Sequence, residues 1–502
     1  MPRLFDVNGD LFHAENEYVS KNTFIGREAD TLPPPAYDPG KLPKIIWEGR
    51  EDAVACYNGT WQVAFQNIRT PNPESGLIST FIHTAFNDNL FMWDSTFNVM
   101  FCKYACRAVD LQRTFDNFYA RQHKDGFICR ELSEQKPGDR FSRDDPASTG
   151  PNIIPWGEWE HYLRNDDKER LCKVFDPLCG FYKWFMLNRS WPDGSYWSCG
   201  LGCGMDNQAR LPEGYSRLVS HGFMSWIDTC AQQYLSANCL IEMAKVLGRE
   251  QEVAWIKEDA KRIYDVVNNK MWSEEDAFYH DMYRDGSLNK IKSLGAYWTL
   301  LAGLVPPERV DRFVAHLENE KEFKRPHRIP SISCDDPHYC PEGDYFNGSV
   351  WPQLNYMVLC GLRKYGYHDL AYEIARNHID CVAAVHAKTF AVYENYAPES
   401  INPGKPALAN YVGWGGLGPI AGLIEYVFGI HAISAERKIV WRVNCLERHG
   451  VENFPLGNAT VSLVCAKRET ADAPAQITIQ ADMSITVEVI QNGTSRVIRY
   501  TP

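Results

Sequence analysis

The chain has 502 residues, a formal net charge of −12 and a hydrophobic fraction of 44%. This length supplies one large globular domain and a small second unit. The acidic balance excludes a surface built to bind nucleic acid or an anionic membrane. No apolar run is long enough to span a membrane, and residues 1–6 lack the apolar core of a signal peptide. We therefore expect a cytoplasmic protein whose 16 cysteines are reduced and packed, with no nucleic-acid or membrane partner.

Residues 1–50 are rich in proline, glycine and charged residues, which predicts an extended N-terminal arm. From residue 51 onwards, apolar residues recur every three or four positions, as on one face of a helix. Gly248 is a predicted helix end, and Asp167 and Pro307 are predicted helix starts. This spacing predicts twelve helices, over residues 51–69, 94–107, 109–122, 156–165, 167–188, 218–247, 250–271, 290–304, 307–319, 350–366, 367–388 and 417–429.

Twelve helices in consecutive hairpins indicate an all-α catalytic domain, an (α/α)6 barrel or toroid, over residues 51–432. The helix at 350–366 is apolar nearly all round, as expected of an inner ring, whereas the helix at 250–271 carries a polar face, as expected of an outer one. Long loops in a compact domain are usually functional. We expect five of them to meet at one end of the barrel: residues 70–93, 123–155, 189–217, 320–349 and 389–416.

Beyond residue 432 the apolar pattern changes to a period of two. Several short alternating runs and the turn pair Asn492-Gly493 predict a small antiparallel, β-sandwich-like module over residues 433–502. We interpret this module as a structural cap on the helical domain, and carbohydrate binding is the alternative.

A glycine-rich run precedes one conspicuous carboxylate. Gly200, Gly202 and Gly204 alternate before Asp206, and this composition predicts a tight loop rather than a helix. The upstream residues 188–197 are rich in aromatics. Aromatic faces can stack on sugar rings, while amides and carboxylates bind hydroxyl groups. The alternative is that Asp206 only caps the next helix.

A second carboxylate, Glu394, lies in the segment Tyr393-Glu394-Asn395-Tyr396, within another predicted loop. Glycoside hydrolysis uses one carboxylic acid to protonate the leaving oxygen and one carboxylate to activate water or to attack carbon. Asp206 and Glu394 are far apart in sequence, so only a closed fold could bring them together.

The pair of motifs Gly-Met-Asp-Asn and Glu-Asn-Tyr resembles glycoside hydrolase family 63 and the related trehalases. The resemblance is strongest to the bacterial branch that hydrolyses mannosylglycerate and glucosylglycerate, and it covers roughly residues 50 to 430. It implies that Asp206 is the general acid and Glu394 the general base. The segment containing Trp93-Asp94 resembles the family's Trp-Asp segment, which implies that Asp94 binds the sugar being cleaved.

The segment from Tyr345 to Pro352 resembles a further family motif, in which Asn347 stands where the family often has arginine. Because the positive charge that could bind a carboxylate of the substrate is missing, the identity of the substrate stays open. We expect no cofactor. The acidic residues Asp335, Asp336, Glu342 and Asp344 could bind a cation, but their spacing matches no calcium-binding loop, so we also expect no metal. Together with the aromatic residues near the motifs, the resemblance implies a substrate-binding set of Trp93, Asp94, Asn207, Gln208, Arg210, Trp156, Trp197, Tyr345, Asn347, Trp351, Tyr396 and Trp414.

The function expected from these features is that of an inverting, exo-acting α-glycosidase. Its substrate would be a small α-glucoside or α-mannoside, such as a disaccharide, an oligosaccharide or a glycosyl-glycerate. A hydrolase of a rhamnoside or uronoside on the same fold is the nearer alternative. A sugar epimerase or lyase of this architecture and a non-catalytic carbohydrate-binding protein are the others. Assembly into a homo-oligomer is compatible with the sequence.

Overall fold

The computed structural model describes residues 15–84 and 87–502. The prediction that the first residues form no signal peptide, and the first part of the predicted arm, lie outside this described part. In the described residues, no helix combines the length and the apolar character needed to cross a membrane.

The α-helices and one π-helix lie between residues 51 and 427. They are α1 (Glu51–Gln66), α2 (Met92–Cys102), α3 (Asp116–Ala120), α4 (Ile154–Asn165), α5 (Lys168–Arg189), α6 (Gly200–Cys203), α7 (Ile227–Leu247), α8 (Ala254–Lys270), α9 (Trp298–Ala302), α10 (Pro307–Val314), α11 (Pro352–Lys364), α12 (His368–Thr389) and a π-helix (Leu417–Val427). Each of the twelve predicted helices has a counterpart in this series.

Local sequence signals set several of these helix ends. The Asp167 side chain accepts a hydrogen bond from the Arg170 N–H and caps α5. Pro307 opens α10, and Gly248 ends α7 in the left-handed conformation. The prediction of a helix over residues 218–247 is wrong at its start. Gly222 and Phe223 both have positive φ, of 62° and 53°, so the helix cannot begin before this turn.

Six helices contact one another in a circle. The series α2, α4, α7, α9, α11 and π-helix packs pairwise in that order, and the π-helix packs against α2 again. α1, α5, α8 and α12 pack outside this series, each against one or two of its members. α10 lies against the segment before α9, where the Phe313 and Tyr297 rings stack 4.4 Å apart.

Burial separates the two sets of helices as predicted. All residues of α2 and of the π-helix are buried, and so are residues 352–362 of α11. By contrast, α8 buries Ile256 and Ile263 on one face and exposes Lys257 and Lys261 on the other. The apolar helices therefore form the inside of the circle and the amphipathic helices form the outside.

The prediction that the glycine-rich run is a loop is wrong for its first residues, because Gly200–Cys203 form one helical turn. The Cys199 sulfur accepts a hydrogen bond from the Gly202 N–H at 3.3 Å, and Gly204 ends the turn with φ of 76°. The glycines serve close packing: a Cβ on Gly200 would lie 2.1 Å from the Asp206 carbonyl oxygen.

Strands are concentrated at the C-terminal end. They are β1 (Lys44–Trp47), β2 (Ile68–Arg69), β3 (Phe81–Ile82), β4 (Asn89–Phe91), β5 (Glu131–Ser133), β6 (Trp272–Ser273), β7 (Phe278–Tyr279), β8 (Ile430–Ile433), β9 (Lys438–Arg442), β10 (His449–Leu456), β11 (Ala459–Cys465), β12 (Ile477–Ala481), β13 (Ile485–Gln491) and β14 (Thr494–Tyr500).

Two four-stranded sheets make up the C-terminal region, with strand orders β1-β10-β11-β12 and β14-β13-β9-β8. β13 and β14 are joined by the predicted turn at Asn492 and Gly493, both of which have positive φ. One pair corrects the prediction of a purely antiparallel module: β9 and β13 are parallel, because the chain crosses through the other sheet between them. β1 comes from the N-terminal arm and pairs with β10, a pairing that was not predicted from the sequence.

Candidate active site

Five loops meet around one cavity of about 230 Å³. Each of the five loops predicted to gather at one end of the helical domain contributes to its wall. The described lining residues are Asn87, Phe91, Trp93, Asp94, Arg130, Glu131, Gly150, Pro151, Leu201, Gly204, Asp206, Tyr345, Phe346, Glu394, Tyr411 and Trp414. Asp206 and Glu394, 188 residues apart in sequence, therefore face the same small space.

Asp206 reaches the cavity because the α6 turn places it there. Gly204 lies against the Trp93 ring, where a Cβ would come within 2.8 Å of a ring carbon. A larger residue at position 204 would push either the indole or the Asp206 backbone out of place. The two cavity-lining residues, Trp93 on α2 and Asp206 after α6, are thus packed through this glycine.

Asn207 and Gln208 fasten the Asp206 segment to the loop that carries Tyr345. The Asn207 amide donates to the Asp344 carbonyl at 3.1 Å and accepts from the Phe346 N–H at 2.9 Å. The Gln208 amide donates to the carbonyls of Ser331 and Phe346. Both side chains lie outside the cavity lining, so their contacts are with the protein, in contrast to the predicted contacts with substrate.

Tyr345 is held in an unusual backbone conformation. Asp344 and Tyr345 both have positive φ, of 45° and 60°, which costs energy for residues with a Cβ. Trp351 stabilises this turn: its indole N–H donates to the Tyr345 carbonyl at 3.2 Å, and its ring stacks on Phe346 at 3.9 Å. The Tyr345 hydroxyl is thereby directed at Glu394, to whose Oε1 it donates at 2.9 Å.

Glu394 has partners on both of its carboxylate oxygens. Besides the bond from Tyr345, its Oε2 accepts from the Leu408 N–H at 3.3 Å. The Trp414 indole donates to the Glu394 carbonyl at 2.7 Å and fixes the main chain beneath the side chain. Hydrogen bonds to a carboxylate favour its ionised form.

Asp94 lies in the first turn of α2, where the positive end of the helix dipole favours a negative charge. Its Oδ1 accepts a hydrogen bond from the Tyr411 hydroxyl. Gly413 is packed so closely against the carboxylate that a Cβ there would lie 2.6 Å from Asp94 Oδ1. Asp94 is therefore buried and fixed at the wall of the cavity that Asp206 and Glu394 share.

Burial raises the pKa of all three carboxyl groups, that of Asp94 to about 7, that of Asp206 to about 6 and that of Glu394 to about 7. The charge of Asp206 also raises the pKa of Glu394. The order of these pKa values alone would make Glu394 the group that keeps a proton to higher pH. The hydrogen bonds indicate the reverse, because both Glu394 oxygens accept hydrogen bonds, whereas the Asp206 carboxyl receives no donor in the described structure other than its own main-chain N–H.

Arg210 was predicted to bind substrate, and the structure corrects this. Its guanidinium is buried outside the cavity lining, donating to Asp281 at 2.6 and 2.7 Å and to Asp228 at 3.0 Å. It also lies over the Trp226 ring, 4.5 Å from the ring centre. Two carboxylates use up its donors, so Arg210 supports the Asp206 segment from behind.

Five other predicted substrate-binding residues also lie outside the lining. Trp156 packs between Phe97 and Trp298, and Trp197 packs against Trp191 and His221. The remaining three, Asn347, Trp351 and Tyr396, are buried: Asn347 donates to Asp344, Trp351 supports Tyr345, and the Tyr396 hydroxyl accepts from the Tyr393 N–H. The rings and polar groups of these residues therefore contact other parts of the protein and do not face the cavity.

Four polar residues of the cavity were not predicted from the sequence: Asn87, Arg130, Glu131 and Tyr411. None belongs to a motif that stands out in the sequence. The available signal was their position in loops 70–93, 123–155 and 389–416, which were predicted to be functional. In the described residues, no group of three His, Cys, Asp or Glu side chains is arranged to hold a metal ion.

Comparison with known proteins supplies an independent finding. A family model described as the mannosylglycerate hydrolase MGH1-like glycoside hydrolase domain matches residues 87–405. An uncharacterized protein of Borreliella burgdorferi is 23% identical over 366 residues, which cover 70% of this chain and 74% of that protein.

Two solved structures share the fold. The GH63 mannosylglycerate hydrolase of Thermus thermophilus, solved with glucose, has a TM-score of 0.59 at 21% identity, covering 72% of this chain and 99% of that one. The GH78 rhamnosidase of Bacillus sp. GL1 has a TM-score of 0.65 at 11% identity, covering 91% of this chain and 43% of that one. At these identities the likeness concerns the fold alone.

The corrected role of Arg210 can be tested by stability. Arg210→Met should lower the free energy of unfolding by about 3–5 kcal/mol, because Asp228 and Asp281 would be left as uncompensated buried charges. The matched control is Arg217→Met, an exposed arginine of the same loop, which should stay within about 0.5 kcal/mol of wild type. Urea unfolding monitored by circular dichroism measures both, and equal stability of the two variants would contradict this role.

Proposed function

The chain belongs to the family of mannosylglycerate hydrolase MGH1-like glycoside hydrolases, and from this premise we propose that it is an inverting, exo-acting α-glycosidase. As a member of this family it is a glycoside hydrolase, and the resemblance drawn from its motifs is confirmed. The proposed substrate is a small α-glucoside or α-mannoside. A glycosyl-glycerate is among the candidates, since the family model and the Thermus enzyme are named for mannosylglycerate hydrolysis.

One observation carries the proposal: Asp206 and Glu394 line the same small cavity with complementary hydrogen-bond environments. We assign the general acid to Asp206, whose buried carboxyl receives no stabilising side-chain donor in the described structure. We assign the general base to Glu394, which Tyr345 and Leu408 hold as an acceptor. In this mechanism Asp206 protonates the leaving oxygen while Glu394 removes a proton from the attacking water.

The size and lining of the cavity support an exo-acting enzyme. Its volume of about 230 Å³ is below the roughly 300–1,000 Å³ of pockets for drug-sized ligands. Trp93, Tyr345 and Trp414 supply aromatic surface for the C–H faces of one sugar ring, and Asp94 supplies a charged acceptor for its hydroxyls. A long internal segment of polysaccharide would not fit such a space.

We also propose that residues 51–432 form an (α/α)6 barrel, with residues 1–50 as an N-terminal arm and residues 433–502 as a β-sandwich-like module. The circle of packed helices and the shared fold of the Thermus hydrolase support this architecture. The cytoplasmic location likewise stays a proposal, supported by the 16 cysteines, all of which are free thiols.

A rhamnoside or uronoside hydrolase is the second candidate. The shared fold of the Bacillus rhamnosidase extends over more of this chain than that of the Thermus enzyme. Arg130 in the cavity wall could also face the carboxylate of a uronoside. A non-catalytic sugar-binding role is less well supported, because both carboxylates needed for hydrolysis are present and line one cavity.

A substrate panel tests the function directly. Sugar release should be measured for α-linked gluco- and manno-disaccharides and glycosyl-glycerates, with rhamnosides and uronosides as the competing set. We expect hydrolysis within the first set, and proton NMR of the first product formed should show the anomer opposite to that of the substrate. Hydrolysis of the competing set alone would favour the second candidate. Retained configuration would make Glu394 a nucleophile and overturn the inverting mechanism.

The two carboxylates can be separated by their dependence on the leaving group. Fluoride departs with little or no protonation, so a glycosyl fluoride of the correct anomer should restore activity to Asp206→Ala far more than to Glu394→Ala. The Glu394 variant lacks an activated water and should remain slower than wild type by about 10²–10⁴-fold on either substrate. Rescue of Glu394→Ala alone would show that the two roles are reversed.

Asp94 should contribute to binding of the sugar being cleaved. Hydrogen bonds to a charged acceptor are worth about 1.5–3 kcal/mol each, so Asp94→Ala should reduce kcat/KM by about a hundredfold or more. Asp94→Asn is the matched variant, because it keeps the shape and the acceptor for Tyr411 but removes the charge. Circular dichroism should show the wild-type helix content for both. Wild-type kinetics in the Ala variant would show that Asp94 does not bind the sugar and only occupies the first turn of α2.

A further inference from the structure

Arg130 is the only basic side chain among the described residues that line the cavity. Four carboxyl groups line the same cavity, those of Asp94, Glu131, Asp206 and Glu394. In so small a space, the protonation of the acidic groups depends on the position of the single guanidinium.

The main chain of Arg130 is held next to the start of α2. β4 and β5 pair so that Phe91 lies opposite Glu131, and the Met92 N–H donates to the Arg130 carbonyl at 2.8 Å. On its other side, the Arg130 N–H donates to the Ser148 carbonyl at 3.0 Å. Arg130 is thereby fastened to the segment that begins α2, two residues before Asp94.

The side chain of Arg130 reaches the opposite wall. Its Nη1 donates to the carbonyl of Leu201, which lies in the α6 turn just before Asp206. Its Nη2 lies 3.7 Å from Glu131 Oε2, and the guanidinium rests over the Phe141 ring, 5.0 Å from the ring centre. The planar, forked guanidinium allows one side chain to make these contacts at once.

We propose that Arg130 is a positioning residue of the active site: it joins the turn that carries Asp206 to the start of the helix that carries Asp94, and it sets the charge balance between these two carboxylates. This inference rests on the proposed function, because it uses the roles of acid and sugar-binding acceptor assigned above.

The charge of Arg130 lowers the pKa of both Asp206 and Asp94, against the larger effect of burial, which raises them. Removing the charge should therefore raise both pKa values further. Asp206 would then keep its proton to higher pH, and Asp94, whose pKa is about 7 with Arg130 in place, would stay protonated above neutral pH. The other titratable or charged groups around these carboxyls are Glu394, Tyr345, Tyr411 and Glu131, with Arg140 behind Glu131.

Two substitutions separate the charge from the contact geometry. In Arg130→Gln the charge is lost while an amide donor remains. The alkaline limb of the pH profile of kcat/KM reports deprotonation of the acid and should move to higher pH by about one pH unit. KM should rise from neutral pH to about one pH unit above it, where Asp94 is ionised in wild type but still protonated in the variant. In Arg130→Lys the charge remains, so the limb should stay in place, while kcat falls about tenfold because an ammonium group cannot make the forked contacts.

Arg140→Gln is the matched control. Arg140 lies 3.9 Å from the other oxygen of Glu131, but it is half exposed and outside the cavity lining. This variant should keep the wild-type limbs, KM and kcat. Circular dichroism should accompany every variant, and Arg130→Met replaces the Gln variant should the latter fail to fold.

An unshifted alkaline limb in the neutral variant, or an equal shift in Arg130→Lys, would overturn the role in charge balance. Wild-type kcat in Arg130→Lys would overturn the positioning role. If neither Arg130→Gln nor Arg130→Met folds, Arg130→Lys alone decides whether the proposal stands. These outcomes differ from failure of the proposed function. In that case the wild-type protein itself would hydrolyse none of the panel glycosides, and the inference would be wrong as well.

Discussion

The structure around the cavity depends on one electrostatic constraint, which is that three buried carboxyl groups must share a small space. Burial raises the pKa of Asp94, Asp206 and Glu394, and a neighbouring carboxylate raises those of Asp94 and Glu394 further. A loosely held site would relax by moving these groups apart. The surrounding loops prevent this. Asn207 joins the Asp206 segment to the Tyr345 turn, and Tyr345 in turn holds Glu394. The hydrogen bonds between these loops thus offset the free-energy cost of holding the carboxyl groups close together.

Close backbone packing makes this scaffold rigid. Gly200 admits the Asp206 carbonyl, Gly204 admits the Trp93 ring, and Gly413 admits the Asp94 carboxylate, all at distances that a Cβ would violate. Behind this layer, Arg210 neutralises Asp228 and Asp281 in the buried core. Paired charges therefore lie outside the cavity and incompletely paired ones line it. We infer that this difference separates carboxylates that stabilise the fold from those proposed to act on the substrate, although both kinds are buried.

Much of this organisation could be predicted from the sequence. Apolar periodicity located the twelve helices between residues 51 and 429, because helix burial is encoded locally by spacing. The capping residues Asp167 and Gly248 marked helix ends, and Asn492-Gly493 marked the last hairpin, since each acts within a few residues of the chain. Asp206, Glu394, Asp94, Trp93, Tyr345 and Trp414 were selected by motif and by loop position, and all six line the cavity.

Other features depended on contacts between distant segments and were decided only by the tertiary structure. Arg210 has the composition of a ligand-binding residue, yet its donors are taken by aspartates 18 and 71 residues away. Arg130 and Tyr411 carry no local motif and enter the cavity only through β-pairing and loop packing. The arm contributes β1 to a sheet some 400 residues further along the chain, as in the pairing of Lys44 with Glu452. The sequence by itself determined the helical elements and the chemical groups available for catalysis. The tertiary structure decided which polar side chains face the cavity and which are used up in the scaffold, because that choice depends on partners far along the chain.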